Sequence, residues 1–371
     1  MDRRAFLRGT SAAWLTGYSS PAWATKTKTP QHILSCGVDR YGSFFISAFS
    51  KSGQLLFTTP LPSRGHGISK HPKKEEILIL ARRPDTKLIV LAASPYTIVS
   101  EVQTPENRHL YGHGVYSPDG TRFFTTENDF DSGRGVIGIY APESNYKRLG
   151  EYQSGGIGPH QLLVCSRGQV IVVANGGIRT HPLTGRSKLN IKNMRPNLTF
   201  LTMSGGRILK TFYLDQDLHQ LSMRHIDINH QYCCAIGMQH EGNRRKSPPL
   251  VWLLRQCGSI TFLQVPENIL TKMQQYIGSV CFDVTGSFVA ASCPRGNIIV
   301  IWNTDSERFI CTFAAYNASG IVATTQRGEF IATSGDGTAY LLDALQLNSK
   351  IILAKNANHV WDNHAYFIEG S

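Results

Sequence analysis

Five histidines stand at comparable places in a repeated sequence pattern. His66, His113 and His160 follow one another at intervals of 47 residues, and His225 and His364 open similar segments further along the chain. Neutral imidazole is the commonest protein ligand for zinc, copper, iron and nickel. If the fold brings these side chains together, they form a candidate site for an iron or copper ion. For any one histidine alone, a hydrogen bond to neighbouring backbone is the simpler explanation.

The unit that carries the histidines contains four short segments of strand-forming residues. In the second unit, Gly112-His113-Gly114 comes first, and Ser117-Pro118-Asp119-Gly120 has the composition of a tight turn. The positions that open the seven units are His66, His113, His160, His225, Ser279, Gly320 and His364. Four strands per unit at this spacing are typical of β-propeller blades. The sequence therefore predicts an all-β, seven-bladed β-propeller, with a pair of β-sandwiches as the alternative.

The blades resemble WD repeats, and the two ends of the chain are predicted to share one of them. Residues 298–303 end in Trp302-Asn303, where a WD repeat has Trp-Asp. Residues 365–369 leave room for one strand after His364, and residues 33–38, 43–50 and 54–59 supply three more. Three N-terminal strands plus one C-terminal strand complete the seventh blade and leave no open sheet edge between first and last blades. A single domain over residues 25–371 is expected.

The first 24 residues have the pattern of a twin-arginine signal peptide. Arg3-Arg4 precede Phe6-Leu7, and Ala22-Trp23-Ala24 is a small-x-small cleavage site. The apolar stretch between them is too short to span a bilayer. The sequence therefore predicts a periplasmic protein without a transmembrane segment.

Propeller geometry places the start of each inner strand and the loop after each second strand at the same rim of the channel. Asn175 follows His160 by 15 residues, and Gln239 follows His225 by 14, as two strands and a turn require. Polar side chains at these places are predicted to bind a ligand around a histidine-rich channel mouth. They are Glu127, Asn128, Arg134, Asn175, Arg186, Arg195, Glu241 and Arg295.

The chain is basic, and part of that charge lies at this rim. The net charge is +12, and the loop at residues 178–196 contains five basic residues and no acidic ones. Arginine forks suit carboxylates and phosphates, which predicts an anionic ligand. A solvated, solubilising rim is the alternative. No nucleic acid is expected, because the chain has the features of an exported protein and lacks a stacked-aromatic RNA motif and a recognition helix.

Several long motifs resemble an uncharacterised family of exported bacterial propellers, a domain of unknown function. They include residues 112–120, 126–129, 133–138, 158–160, 174–178, 188–190, 194–196, 224–225, 294–296 and 361–364. The resemblance adds Arg224 and Trp361 to the predicted ligand-binding residues. It also implies a role near imelysin-like iron-uptake proteins and a di-haem oxidoreductase. His240 departs from the family, in which tyrosine is expected.

The sequence contains none of the common hydrolase, metalloprotease or phosphate-loop motifs. The leading hypothesis is therefore a periplasmic binding or scaffold protein, an accessory in iron acquisition, that holds a metal ion or an anionic iron chelate. Its partners would be periplasmic iron-uptake proteins. Two alternatives remain open at this point: a metal-dependent redox enzyme that uses the same site, and a protein-interaction platform without a ligand.

Overall fold

The computed structural model describes residues 31–93, 95–165, 169–185 and 187–369. These residues form seven four-stranded antiparallel sheets. The sheets are the blades of a β-propeller, as the sequence predicted, and they are named I to VII below. The predicted signal peptide lies outside the described residues. Within them, no helix is long and apolar enough to cross a membrane.

The strands follow one another around the ring with the same connection in each blade. The N-terminal strands are β1 (His32–Val38), β2 (Phe44–Ser50) and β3 (Leu55–Leu61). Blade I has β4 (Gly65–Lys70), β5 (Glu76–Ala81), β6 (Lys87–Ala92) and β7 (Ile98–Gln103). Blade II has β8 (Arg108–Tyr116), β9 (Phe123–Asp129), β10 (Arg134–Ala141) and β11 (Lys147–Gln153). Blade III has β12 (Pro159–Cys165), β13 (Val170–Asn175), β14 (Asn197–Thr202) and β15 (Ile208–Tyr213).

The second half of the ring repeats this order. Blade IV has β16 (Leu221–Ile228), β17 (Cys234–His240), β18 (Val251–Leu254) and β19 (Ile260–Phe262). The helix α1 (Glu267–Lys272) follows it. Blade V has β20 (Ser279–Phe282), β21 (Phe288–Cys293), β22 (Ile298–Asn303) and β23 (Phe309–Ala314). Blade VI has β24 (Ala318–Ala323), β25 (Glu329–Ser334), β26 (Ala339–Asp343) and β27 (Asn348–Leu353), and the last strand is β28 (Val360–Ile368).

Blade VII closes the ring with strands from both ends of the chain. Its sheet order is β28-β1-β2-β3, so the C-terminal strand is innermost and three N-terminal strands complete the blade. This confirms the predicted three-plus-one closure. The last strand begins earlier than predicted, at Val360 rather than Ala365, so His364 lies inside it. Backbone pairing of residues 360 and 361 with Val38 and Gly37 extends the strand in that direction.

The core lies between neighbouring sheets, where the alternating apolar residues of the strands meet. The second strands are almost fully buried, the inner strands combine buried and half-buried positions, and the outermost strands are half-buried or exposed at nearly every position. Trp302 shows how the polar atom of a large ring is satisfied in this core: its Nε1 donates to the carbonyl oxygen of Gln264 at 2.9 Å. Burial of these continuous apolar strands stabilises a rigid ring around the channel.

A β-bulge interrupts the inner strand wherever a histidine points into the channel. The pairing register shifts between Gly65 and Gly67 in blade I, between Leu110 and Gly114 in blade II, and between Pro159 and Gln161 in blade III. The register also shifts near His225 in blade IV, near His364 in blade VII, and near Gly320 in blade VI. Because a bulge adds a residue to one strand, it redirects the side chain at that place.

Blades V and VI carry Ser279 and Gly320 where the others carry histidine. A Cβ atom on Gly320 would lie 2.6 Å from the backbone nitrogen of Ala365, so close packing against blade VII leaves no room for a side chain there. Gly112 has a similar role beside His66. Its φ is +99°, and a Cβ atom on it would lie 2.6 Å from Cδ2 of the His66 ring.

Candidate metal centre

The five histidines of the inner strands form a compact layer across the channel. The rings of His66, His113, His160, His225 and His364 follow one another at centroid distances of 5.0, 5.1, 4.6 and 5.0 Å. The last and first rings are 4.5 Å apart, which closes the circle. This layer of five rings is called the histidine layer below. The structure thus brings together all five predicted ligands, inside the channel rather than at its mouth.

Two overlapping sets of three imidazoles could each hold a metal ion. One set is His66, His113 and His160, and the other is His113, His225 and His364. In each set, one ring nitrogen per residue lies within 4.8 Å of the others. His113 belongs to both sets and is the only residue that they share.

Five of the ten ring nitrogens of the histidine layer are buried without a protein partner. Nε2 of His113, Nδ1 of His160, Nε2 of His364 and both nitrogens of His225 are buried without a hydrogen bond. Buried polar groups in native proteins are nearly always hydrogen-bonded, so an unpaired one needs an explanation. Five unpaired nitrogens on converging rings are the arrangement that a metal ion would satisfy.

These rings are held in the neutral form that binds metals. The pKa values of His113, His160, His225 and His364 are all well below the usual value for histidine. Burial is the main cause, and neighbouring rings and arginine cations add to it. A metal ion would therefore not have to displace protons from these rings near neutral pH.

His66 is oriented by a buried carboxylate. Its Nδ1 lies 2.9 Å from Oδ1 of Asp362, whose other oxygen accepts a hydrogen bond from Nε of Arg64 at 2.6 Å. Burial alone would raise the pKa of Asp362. The hydrogen bond from His66 and the charges of Arg82 and Arg64 instead hold it well below its usual range. The ionised carboxylate accepts a hydrogen bond from the Nδ1–H group of His66. Nε2 of His66 then carries no proton and is the ligand atom, an arrangement common behind metal-binding histidines.

The unpaired nitrogens predict an unusual response to mutation. We expect His225→Leu to raise the free energy of unfolding of the metal-free protein by about 1 kcal/mol or more, because it removes two buried nitrogens that lack partners. His71→Leu is the matched control, since the ring of His71 is hydrogen-bonded to Gly120, Lys73 and Lys74. That control should lose stability. Chemical denaturation of both variants tests this, and an equal loss in both would contradict it.

Above the histidine layer the channel opens into a basic cavity, called the upper vestibule below. Its volume is about 300 Å³, and it lies at the rim where the inner strands begin. The residues that line it are His66, Arg82, Arg83, Tyr111, Gly158, His160, Gly176, Ile178, Lys188, Ser222, Arg224, Gln239, Tyr276, Arg295 and Asn363. Loops after the second strands contribute to this rim, as propeller geometry predicted.

Below the layer lies a second cavity of about 410 Å³. His113, His225 and His364 form its ceiling, and the later residues of the inner strands form its walls. Asp227 is its only acidic lining residue among those described. Burial raises the pKa of this carboxyl to about 6, although backbone N–H groups of Phe282 and Ile228 donate to it. The histidine layer is therefore approachable from both ends of the channel.

Of the ten predicted ligand-binding residues, the structure brings two to the upper vestibule. Arg224 and Arg295 line it. Glu241 lies at its border, where its carboxylate forms an ion pair with Lys188. Arg186 lies outside the described residues.

Glu127 lies in the interior of blade II instead of at the channel. Its Oε1 accepts hydrogen bonds from Thr125 at 2.6 Å, from Tyr140 at 2.8 Å and from Arg148 at 2.8 Å. Arg148 in turn binds Glu151 at 2.7 Å. The carboxylate therefore holds the strands of its own blade together.

We expect Glu127→Gln to lower the free energy of unfolding by about 2 kcal/mol, because it removes the charged acceptor of a buried network. Metal content should not change. Glu101→Gln is the control, since Glu101 pairs with Lys87 at 3.2 Å on the surface and such pairs contribute little. Denaturation midpoints and metal analysis of both variants test the structural role. Loss of bound metal in Glu127→Gln would contradict it.

Asn128, Asn175 and Trp361 also have structural partners away from the vestibule. The amide of Asn128 donates to the carbonyl of Thr180 at 3.1 Å, which anchors the long loop at residues 178–196. Asn175 binds Ser154 at 2.7 Å. The Trp361 indole donates to the backbone of blade VI and packs on two phenylalanine rings of blade VII.

Arg134 and Arg195 are on the surface. The guanidinium of Arg134 approaches Asp129 at 3.5 Å and is more than half exposed. Arg195 lies over the ring of Tyr213, 4.3 Å from its centroid. Neither residue lines the upper vestibule.

Sequence reasoning missed Arg82, Arg83 and Asp362. Arg82 follows His66 by 16 residues, close to the offset that placed Asn175 and Gln239 at the rim. Applied to the first blade, the same offset identifies both arginines. Asp362 had no comparable signal, because its partner His66 is 296 residues away in the chain.

The fold and the site define a seven-bladed β-propeller with a buried histidine layer between two cavities. The chain belongs to the family described as protein of unknown function (DUF1513), whose model matches residues 47–368. The predicted resemblance to a family of unknown function is thereby confirmed.

The chain is similar in fold to hydrazine synthase from Kuenenia stuttgartiensis. The TM-score is 0.60 and the sequence identity 12%, over 91% of this chain and 100% of that one. At this identity the similarity shows the fold alone. No curated protein matches this chain.

Proposed function

We propose that this chain is a binding protein that holds a transition-metal ion in the histidine layer. The observation that carries the proposal is the convergence of ring nitrogens within 4.8 Å, combined with five ring nitrogens of the layer that are buried without a hydrogen-bond partner. A hydrogen-bonding role for each imidazole would leave few nitrogens unpaired. Depressed pKa values, which keep the rings neutral, support the same conclusion.

The ligand set favours metals that bind nitrogen. Imidazole suits iron, copper, zinc and nickel, whereas calcium and magnesium prefer oxygen. Iron or copper is the proposed ion, because the sequence resembles proteins encoded near iron-uptake components. An anionic iron chelate would place its metal in the same layer and its acidic groups in the upper vestibule.

The proposed setting is the periplasm. The twin-arginine pattern at residues 1–24 supports export of a folded chain, and residues 25–371 would then form one mature domain. The protein would act as an accessory in iron acquisition, with periplasmic iron-uptake proteins as partners. The resemblance supports this setting.

Elemental analysis of the exported, mature protein tests the proposal. It should contain nearly one equivalent of iron or copper. A His66→Ala, His113→Ala, His160→Ala triple variant that still folds should contain far less. If neither protein holds metal after loading with ferrous, ferric or cupric salts, the metal proposal fails.

A metal-dependent redox enzyme is the second candidate. Three imidazoles leave coordination positions open, and cavities of about 300 and 410 Å³ adjoin the layer. Steady-state oxidation of an electron donor by the loaded protein, absent in the triple variant, would favour this function. A protein free of metal that captures a specific partner would instead favour an interaction platform.

A further inference from the structure

We infer that the upper vestibule binds a small organic polycarboxylate. This inference goes beyond metal binding, because the binding site needs no ion in the histidine layer. It rests on three features of the vestibule: the origin of its cations, its lack of acidic lining residues and its size.

The cations of the vestibule come from four different blades. Arg82 and Arg83 follow β5 of blade I, and Lys188 belongs to the long loop of blade III. Arg224 lies on the inner strand of blade IV, and Arg295 follows β21 of blade V. These side chains therefore surround the cavity from several sides. An anion with separated charges can contact more of them at once than a compact anion can.

The positive charge is only partly neutralised by the protein. No residue in the described lining is acidic. Asp362 at the border lies 3.6 Å from Arg82, and Glu241 pairs with Lys188. In the part of the chain that the structure describes, neither Arg224 nor Arg295 pairs with a carboxylate.

Arg224 and Arg295 are the strongest anchors for the anion. Nε of Arg224 is buried without a hydrogen-bond partner, so an incoming carboxylate would satisfy it. The guanidinium of Arg295 lies over the ring of Tyr276, 4.9 Å from its centroid, which holds the fork at the cavity wall. Planar guanidinium groups bind carboxylates in bidentate geometry.

The size and neutral lining of the cavity favour an organic anion over a simple phosphate. A volume of about 300 Å³ exceeds what one tetrahedral phosphate fills. Ser222, Gln239 and Asn363 add neutral hydrogen-bonding groups that suit hydroxyl and carboxyl oxygens. His66 and His160 form part of the floor, so a bound carboxylate lies next to the histidine layer.

Calorimetric titration of the metal-free protein with citrate tests the inference. We expect saturable binding that weakens about tenfold or more in Arg224→Gln and in Arg295→Gln, since each variant loses a guanidinium group that would bind a carboxylate. Arg308→Gln is the matched control, because Arg308 is exposed on the outer part of blade V. It should bind citrate as the unaltered protein does. Inorganic phosphate, titrated in parallel, should bind more weakly.

Three results would overturn the inference: no saturable citrate binding, phosphate binding as tight as that of citrate, or unchanged affinity in Arg224→Gln. Metal titrations of the same samples separate the two proposals. Citrate binding without metal binding would leave this inference standing and remove the metal proposal. Metal binding without citrate binding would do the reverse.

Discussion

Replacing His113 by alanine should weaken metal binding more than about 100-fold, since even the loss of groups that only orient ligands costs 10–100-fold. His113 belongs to both sets of three imidazoles. Its ring lies 5.0 Å from His66, 5.1 Å from His160, 5.9 Å from His225 and 4.5 Å from His364 between centroids. Without it, neither set keeps three ligands.

The comparison with His160→Ala makes this prediction specific. That variant disrupts one set and leaves His113, His225 and His364 intact, so it should still bind a metal ion. His230→Gln is the control for a histidine outside the channel, because His230 is exposed. Competition with a metal-sensitive dye measures all three affinities. Equal affinities for His113→Ala and the unaltered protein would show that the ion lies elsewhere.

Acid should destabilise the metal-free protein strongly. Four histidines have pKa values well below that of the unfolded chain, so the unfolded state binds more protons than the folded state below about pH 6.5. Stability is therefore present above this pH and is lost as the pH falls. Each ring that stays neutral in the folded state contributes a loss of roughly 1 kcal/mol between about pH 7 and about pH 5.5, and the four rings act in the same direction.

Urea denaturation at the two pH values measures this loss. The His225→Leu variant should lose about three quarters as much free energy of unfolding between the two pH values, because only three of the four buried histidines remain. A free energy of unfolding that does not change between the two pH values would mean that the rings accept protons inside the fold. That outcome would contradict the neutral histidine layer.

The sequence was sufficient to predict the fold because each blade repeats a local pattern. The seven positions from His66 to His364 that mark the units all lie on inner strands or, for Ser279, at the start of one. Strand-forming segments, turn residues and their spacing are local properties that a single sequence contains. The early start of β28 was missed because it depends on pairing with β1 at the other end of the chain.

The candidate site was predictable only in part. The inner strands shift register at equivalent places in six blades, five of which carry a histidine there, and the sequence repeat reveals those places. The direction of a side chain at the end of a second strand is not revealed in this way. Glu127 illustrates the difference: it is near the rim in sequence, but its side chain turns into its blade and binds Arg148.

Anomalous diffraction from crystals of the metal-loaded protein, recorded at the absorption edge of the metal, tests the central claim most directly. The account predicts one strong peak inside the histidine layer, about 2.1 Å from ring nitrogens that include one of His113. A peak elsewhere, or none after loading with iron, copper or zinc salts, would contradict it.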